Sequence, residues 1–212
     1  MVKFIIVRHG FSLGNKGNIF TGQIDMPLDE VGYEQAELVG KYVLENFSVD
    51  EVYSSVLSRA YDTALPLAKA VGKEVKMMKE LNEVDVGLWG GKTFEEAEKE
   101  FSENYKRYIE CPGLSYFDGG ERYVEARERI CLAFEKIAAE NEGKTVMVVA
   151  HGGVLRNLFA AWKGIPPEQL TDLPRLSNAS ITVAEYEDGK ANILLYGYTG
   201  HLENNATEKV LN

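Results

Sequence analysis

The sequence predicts an α/β fold: a three-layer α/β/α sandwich with a mostly parallel central sheet and a small helical cap. Three observations predict it. Two continuous apolar runs, Lys3–Val7 and Val146–Ala150, have the length and β-branched character of strands buried on both faces of a parallel sheet. Amphipathic helical patterns lie between them. Two further strand patterns close the chain and read as a hairpin.

The elements follow in order. Lys3-Phe4-Ile5-Ile6-Val7 stops at the polar turn Arg8-His9-Gly10. Asp29 is placed to cap a helix whose apolar residues are Tyr33, Ala36, Val39, Tyr42 and Val43. A second helical pattern runs from about Ser58 to Val71, and Pro66 predicts a kink in it. The segment at about 93–120 is less regular and is expected to form the short helical cap. A third helix, about Arg122 to Glu142, carries Ile130, Phe134, Ile137 and Ala138 on one stripe. Val146–Ala150 then stops at His151-Gly152-Gly153, and a fourth helix continues through Leu155, Leu158, Phe159 and Trp162. Ser180–Tyr186 and Ala191–Tyr198 are strands joined by Asp188-Gly189. Nothing resembling a repeat or a low-complexity linker interrupts the chain. Residues 1–212 are therefore expected to form a single domain with the cap as an insertion.

Composition narrows the function. Hydrophobic residues make up 45% and charged residues 26%, an ordinary globular balance. The net charge of −10 argues against a nucleic-acid partner, whose phosphates would be repelled. A small phosphorylated molecule needs only a local cationic pocket. Cys111 and Cys131 form no CxxC pair, so neither a zinc nor a redox framework is expected. The N-terminal apolar run is too short for a signal peptide, and no stretch approaches the ~18 apolar residues of a membrane helix. The expectation is a cytoplasmic protein with no membrane partner, in which the sequons at Asn46, Asn178 and Asn205 are chance matches. A monomer and a homodimer are both compatible with it.

The chemistry concentrates at the two His-Gly turns. Ligands of open α/β sheets lie beyond the carboxyl ends of the strands, and both turns fall there. Their glycines let backbone approach a ligand closely. From here the chain resembles a family. Arg8-His9-Gly10, with Ser12 and Asn15 after it, resembles the signature of the histidine phosphatase superfamily, also called the phosphoglycerate mutase-like family. Thr21-Gly22, Pro27-Leu28 and Gly32 continue the likeness, as do Ser54-Ser55, Ser58-Arg59-Ala60 and Thr63-Ala64. Leu81-Asn82-Glu83 with Gly87, Trp89 and Gly91, then Gly119-Gly120-Glu121, Ala150-His151-Gly152-Gly153 and Asn178-Ala179-Ser180 complete it in order.

That resemblance implies a phosphomonoester hydrolase of the phosphatase branch, acting on a small phosphorylated metabolite through a phosphohistidine intermediate. His9 is implied as nucleophile and Glu83 as general acid and base, with Asp85 the competing carboxylate. Arg8 and Arg59 are implied as forks for the phosphoryl oxygens, with Asn15 as a neutral donor. His151 is implied as a phosphoryl hydrogen-bonding partner. Thr21, Gly22 and Gly152 complete the implied substrate-binding set. Two histidines capping strands, a surface Arg59 and ordinary loop hydroxyls at Ser12 and Thr21 are the structural alternatives. His201 resembles a C-terminal His-Leu pair of the family but reads as structural.

Other chemistries fit poorly. Gly91-Lys92-Thr93 mimics the end of a phosphate-binding loop, but the required earlier glycine position is Val86. Neither cysteine is followed by arginine at the spacing of a cysteine phosphatase, since Phe117 and Ile137 stand there. No H-x-x-x-H pair or carboxylate cluster occurs, so neither a metal nor a cofactor is expected. The alternative within the family is a cofactor-dependent phosphoglycerate mutase. A mutase must hold a second phosphate, yet Lys92, Lys99, Lys106 and Arg107 of the cap are outnumbered by acidic residues. A non-catalytic phosphoester-binding module is the third reading. The cap aromatics Phe94, Phe101, Tyr105, Tyr108, Tyr116 and Phe117 either accept an apolar leaving group or pack the cap.

Overall fold

The computed structural model describes residues 1–203, and Asn205 lies outside them. Among the described residues one sheet holds β1 (Val2–Arg8), β2 (Glu51–Ser54), β3 (Val75–Met77), β4 (Thr145–Ala150), β5 (Ile181–Glu187) and β6 (Lys190–Tyr198). Their spatial order is β3-β2-β4-β1-β5-β6. The strands β3, β2, β4 and β1 are parallel, while β5 pairs antiparallel with both β1 and β6. The mostly parallel sandwich predicted from sequence is the observed fold.

Alternation along the central strands builds the layers. Successive strand residues face opposite sides of a sheet. Phe4 and Ile6, with Val146 and Val148, enter the core under α6 (Tyr123–Glu140) and α7 (Gly152–Trp162). Ile5 and Val7, with Met147 and Val149, enter the core under α2 (Glu30–Asn46) and α3 (Ser58–Ala70). All eight residues are buried, which is why these runs show no alternation of polarity.

The helices form where their patterns place them. Asp29 caps α2, its Oδ1 accepting the Gly32 N–H at 3.0 Å. Val39 and Val43 are buried as expected, but Tyr33 is exposed and donates its hydroxyl to Asp62. The helix α3 continues through Pro66 as one element. Gly40 of α2 lies so close to it that a Cβ there would meet Leu67 N and Pro66 Cβ, each at 3.2 Å. Positive φ at both Asp188 and Gly189 matches the hairpin turn between β5 and β6. The short strands β2 and β3 are elements the periodicity does not reveal.

The cap contains α4 (Phe94–Glu100), α5 (Ser102–Glu110) and a 3₁₀ turn over Pro112–Leu114. Trp89 organises it, stacking on Phe101 at 5.4 Å and Tyr105 at 5.8 Å, with Phe117 edge-on at 4.9 Å. These aromatics pack the cap, whereas Phe94 and Tyr116 are exposed. The Gly91-Lys92-Thr93 decoy has a helical role: Thr93 caps α4 reciprocally with Glu96, and Lys92 pairs with Glu100 at 2.7 Å.

The site is positioned by the topology. The strands β1 and β4 are neighbours, but the helices after them, α2 and α7, cover opposite faces. A crevice therefore opens beyond the carboxyl ends of these two strands. The short helix α1 (Leu13–Lys16) and the cap border the same end.

Candidate active site

His9 follows the last residue of β1 and His151 the last residue of β4. Parallel pairing in register, with Arg8 opposite Ala150, sets the two rings 5.1 Å apart. Both imidazoles are buried, at 5% and 0% exposure. The His9 Nδ1 atom lies 2.7 Å from the Gly10 carbonyl oxygen, which can only accept. The ring is therefore protonated at Nδ1, and the lone pair is on Nε2. Burial holds its pKa well below the ordinary value, and the charges of Arg59 and Arg8 push it the same way.

The loop carrying His9 is fixed from three sides. Thr63 Oγ1 accepts the Gly10 N–H at 2.9 Å and donates to the Arg59 carbonyl at 2.7 Å. Asn178 Nδ2 donates to the carbonyls of His9 and Gly10, at 3.0 and 3.2 Å. The Ala179 N–H bonds the carbonyls of Arg8 and His9, with Ala179 at φ +56°. Gly10 also approaches Gly32 so closely that a Cβ would lie 2.7 Å from the Gly32 carbonyl oxygen.

His151 is held through both nitrogens. Arg59 Nε donates to its Nδ1 at 3.2 Å, so Nε2 carries the proton and donates to Ser55 Oγ at 2.7 Å. Burial, then the charges of Arg59, Arg8 and Arg129, keep this imidazole neutral. Its one N–H thus points at Ser55, a partner the sequence does not suggest.

Arg59 is fully buried, so the surface alternative is excluded. Its Nη1 and Nη2 donate to the carbonyls of Ile24 (2.9 Å) and Gly22 (2.7 Å). With the His151 bond, three of its five N–H groups are used inside the protein and two remain. Gly22 has φ +46°, and a Cβ there would meet Val86 Cγ2 at 2.6 Å. Arg8 donates through Nη1 to the Leu176 carbonyl, while its buried Nε has no partner. Burial lowers its pKa to about 10, so it remains a cation at neutral pH. Gly152 packs against this guanidinium, 3.1 Å from Arg8 Nε to the site of a Cβ.

The Asn15 side chain is oriented by its oxygen. That Oδ1 accepts from Ser12 N (3.1 Å), Ser12 Oγ (2.9 Å) and Asn178 Nδ2 (3.1 Å). Its own Nδ2 is the remaining donor. Thr21 packs its methyl group against Gly14 of α1.

Glu83 comes from the loop after β3. Its carboxylate accepts from Val84 N (2.9 Å), Gly153 N (3.0 Å) and Val154 N (3.1 Å). The last two belong to the first turn of α7, whose free N–H groups and positive end favour an anion. Gly153 makes the approach possible, since a Cβ there would lie 2.7 Å from Glu83 Oε1. Asp85, the competing carboxylate, instead accepts the Gly87 N–H at 3.0 Å.

Sequence reasoning misses the support beneath Glu83. Arg129 of α6 bonds Glu121 through Nε and Nη2, both at 2.8 Å. The same guanidinium donates to the carbonyls of Glu80 (2.7 Å), Asn82 (2.9 Å) and Glu83 (3.4 Å). An arginine on a helix surface gives no sequence signal of such a task. Arg156 of α7, which donates to the Leu173 carbonyl, is missed for the same reason. His201 packs between the rings of Tyr42 and Tyr198, at 5.4 and 5.7 Å, and burial lowers its pKa to about 4.

Two imidazoles, two guanidiniums and a carboxylate converge where the motif order brings them together. The sequence profile of the histidine phosphatase superfamily, branch 1, matches residues 4–199. The chain belongs to the histidine phosphatase superfamily. It is 33% identical to phosphoserine phosphatase 1 of Hydrogenobacter thermophilus over 202 residues, covering 95% of each chain. It is 31% identical to phosphoglycerate mutase-like protein 4 of Arabidopsis thaliana over 209 residues, covering 95% of this chain and 87% of that one. The solved structure of Bacillus stearothermophilus YhfR superposes with a TM-score of 0.91 at 29% identity, covering 95% of this chain and 100% of that chain. Among the described residues no helix is long and apolar enough to cross a membrane.

Proposed function

We propose that this histidine phosphatase hydrolyses a small phosphomonoester by way of a phosphorylated His9. The orientation of His9 carries the reading: its Nδ1–H is committed to the Gly10 carbonyl, so Nε2 presents a lone pair inside a cationic pocket.

The steps follow from the donors present. The phosphoryl oxygens bind Arg8, the two remaining N–H groups of Arg59 and the Asn15 amide. His151 exchanges its Ser55 bond for a phosphoryl oxygen as charge builds there. His9 Nε2 attacks phosphorus, the bond to the leaving oxygen breaks, and Glu83 supplies that oxygen with a proton. Glu83 then takes a proton from water, whose oxygen attacks phosphorus as the N–P bond breaks. Inorganic phosphate leaves and His9 is restored. Thr21, Gly22 and Gly152 shape the pocket wall.

Hydrolase is favoured over mutase by the state of the cap cations. Lys92 is paired with Glu100 and Lys106 with Glu110, and Arg107 stacks on Tyr116 at 5.7 Å, so Lys99 alone of the four cap cations has no ion pair or ring contact among the described residues, a poor clamp for a second phosphate. The decisive experiment has two arms. Turnover of a phosphomonoester in excess chelator should persist, and His9→Ala should lower it by roughly 10³-fold or more. Labelled substrate should leave an acid-labile phosphoryl group on His9. Full activity in His9→Ala, or phosphoglycerate mutase turnover faster than hydrolysis, would refute the reading.

A further inference from the structure

We propose that Asn178 is a positioning residue that sets two parts of the site at once: it holds the carbonyl that orients His9, and it aims the Asn15 amide at the phosphoryl group. This rests on the hydrolase reading above. It gives a task to a residue that the sequence shows only as a chance sequon and a place in a motif.

The segment 176–180 runs along the Arg8-His9-Gly10 turn and binds its carbonyls in order. The Ala179 N–H donates to the carbonyls of Arg8 (3.0 Å) and His9 (3.1 Å). Asn178 Nδ2 continues the series, donating to the carbonyls of His9 (3.0 Å) and Gly10 (3.2 Å). This alignment needs Ala179 at φ +56°, a left-handed conformation that alanine keeps only where its surroundings impose it. The flanking bonds impose it: the Arg8 N–H donates to the Ser180 carbonyl at 3.2 Å, and Arg8 Nη1 donates to the Leu176 carbonyl. The Gly10 carbonyl oxygen is the same atom that accepts the His9 Nδ1–H at 2.7 Å. Its two lone pairs thus serve the nucleophile and Asn178 together. Asn178 pins the acceptor that leaves the lone pair of His9 on Nε2.

The same amide nitrogen also meets Asn15 Oδ1 at 3.1 Å. Chemistry fixes the orientation of both amides. The Ser12 N–H points at the Asn15 atom from 3.1 Å, so that atom is the oxygen. The Asn178 atom that faces it also faces two carbonyl oxygens, so it is the nitrogen. Its two N–H groups serve three oxygens, and one of them is shared. With Oδ1 held by Ser12 and Asn178, the other end of the Asn15 amide is the donor left for a phosphoryl oxygen. One half-buried side chain thereby ties the direction of the nucleophile to the direction of a phosphate donor.

The test compares Asn178→Ala, Asn15→Ala and the double variant. Calorimetry with inorganic phosphate should show binding about 3- to 10-fold weaker in Asn178→Ala, the range of one hydrogen bond. Its kcat should fall by roughly 10- to 100-fold, as for a misaimed nucleophile. In the double variant the loss of phosphate affinity should not exceed that of Asn15→Ala, because the binding effect runs through Asn15. Heteronuclear NMR of the imidazoles, with His9→Ala to assign the signals, should show His9 protonated at Nδ1 in the unmodified protein and a mixture of tautomers in Asn178→Ala. A side chain that only supports the fold would lower Tm and leave the tautomer unchanged. An unchanged tautomer, unchanged phosphate affinity or fully additive phosphate losses would each overturn the assignment. If the alanine variant does not fold, Asn178→Ser replaces it, since its shorter side chain does not span the three oxygens. Failure to find a phosphorylated His9 would sink the hydrolase reading, while the phosphate and NMR measurements still decide the role of Asn178.

Discussion

At the scale of single residues, function rests on where protons and lone pairs are fixed. His9 and His151 use opposite tautomers, because one donates to a carbonyl from Nδ1 and the other accepts there from Arg59. Glu83 depends in turn on a residue with no side chain. Gly153→Ala would place a methyl group 2.7 Å from Glu83 Oε1, so the carboxylate must leave the α7 terminus. If Glu83 is the acid, the loss should follow the leaving group. Alkyl phosphates, which need a proton, should slow by about 10- to 100-fold, within the usual span of general acid catalysis. An aryl phosphate such as p-nitrophenyl phosphate should slow much less. Measuring kcat/KM across leaving groups of graded pKa checks this, and an equal loss on all of them would remove Glu83 from that role.

At the scale of elements, the side chains of the candidate site are held by pieces of chain distant in sequence. Asp25 illustrates it, capping α3 from outside by accepting both the N–H and the hydroxyl of Ser58 at 2.8 Å. Arg129 does the same for the Glu80–Glu83 stretch, binding three of its carbonyls while Glu121 holds the other edge of the guanidinium. Arg129 is a positioning residue in this view, acting through Glu83. Arg129→Met should cost about 10-fold or more in alkyl phosphate turnover, the scale of removing a half-buried charged hydrogen-bond donor. Arg129→Lys should not rescue it, because an ammonium lacks the fork. Combined with Glu83→Gln, the two losses should be non-additive. Full additivity would mean that Arg129 merely stabilises the fold. The sequence showed Glu121 within a glycine-rich motif, but neither its partner nor its purpose.

At the scale of the whole molecule, an acidic chain folds around a cationic crevice. Burial and neighbouring guanidiniums keep both cleft imidazoles neutral when folded, whereas they titrate near 6.5 when unfolded. The unfolded chain therefore binds more protons as pH falls below about 6.5, and stability declines with it. The contribution is complete above that pH and is lost downward toward the depressed folded values. Each imidazole adds at most about 1.4 kcal/mol per pH unit in that window. Denaturant unfolding from pH 7 to 5 should show this slope, and His151→Gln should flatten it. An unchanged slope in that variant would mean that the imidazole titrates normally in the folded protein.

Burial pattern and local turn chemistry are written along the chain, and they specify the layered α/β fold, the central strands, the hairpin and the ordered motif residues. His9, Arg8, Asn15, Arg59, Glu83 and His151 were legible in that way. Only the folded molecule shows the tautomers, the clamp of Arg129 on the Glu80–Glu83 stretch and the pairing of His151 with Ser55. It also decided that the cap aromatics pack around Trp89. The strands β2 and β3 escaped notice because three or four residues carry too little periodicity. The reason is common to all of these. Hydrogen bonds across distant segments depend on three-dimensional distance, and a lone arginine or serine looks the same in sequence whether it faces solvent or a side chain of the cleft.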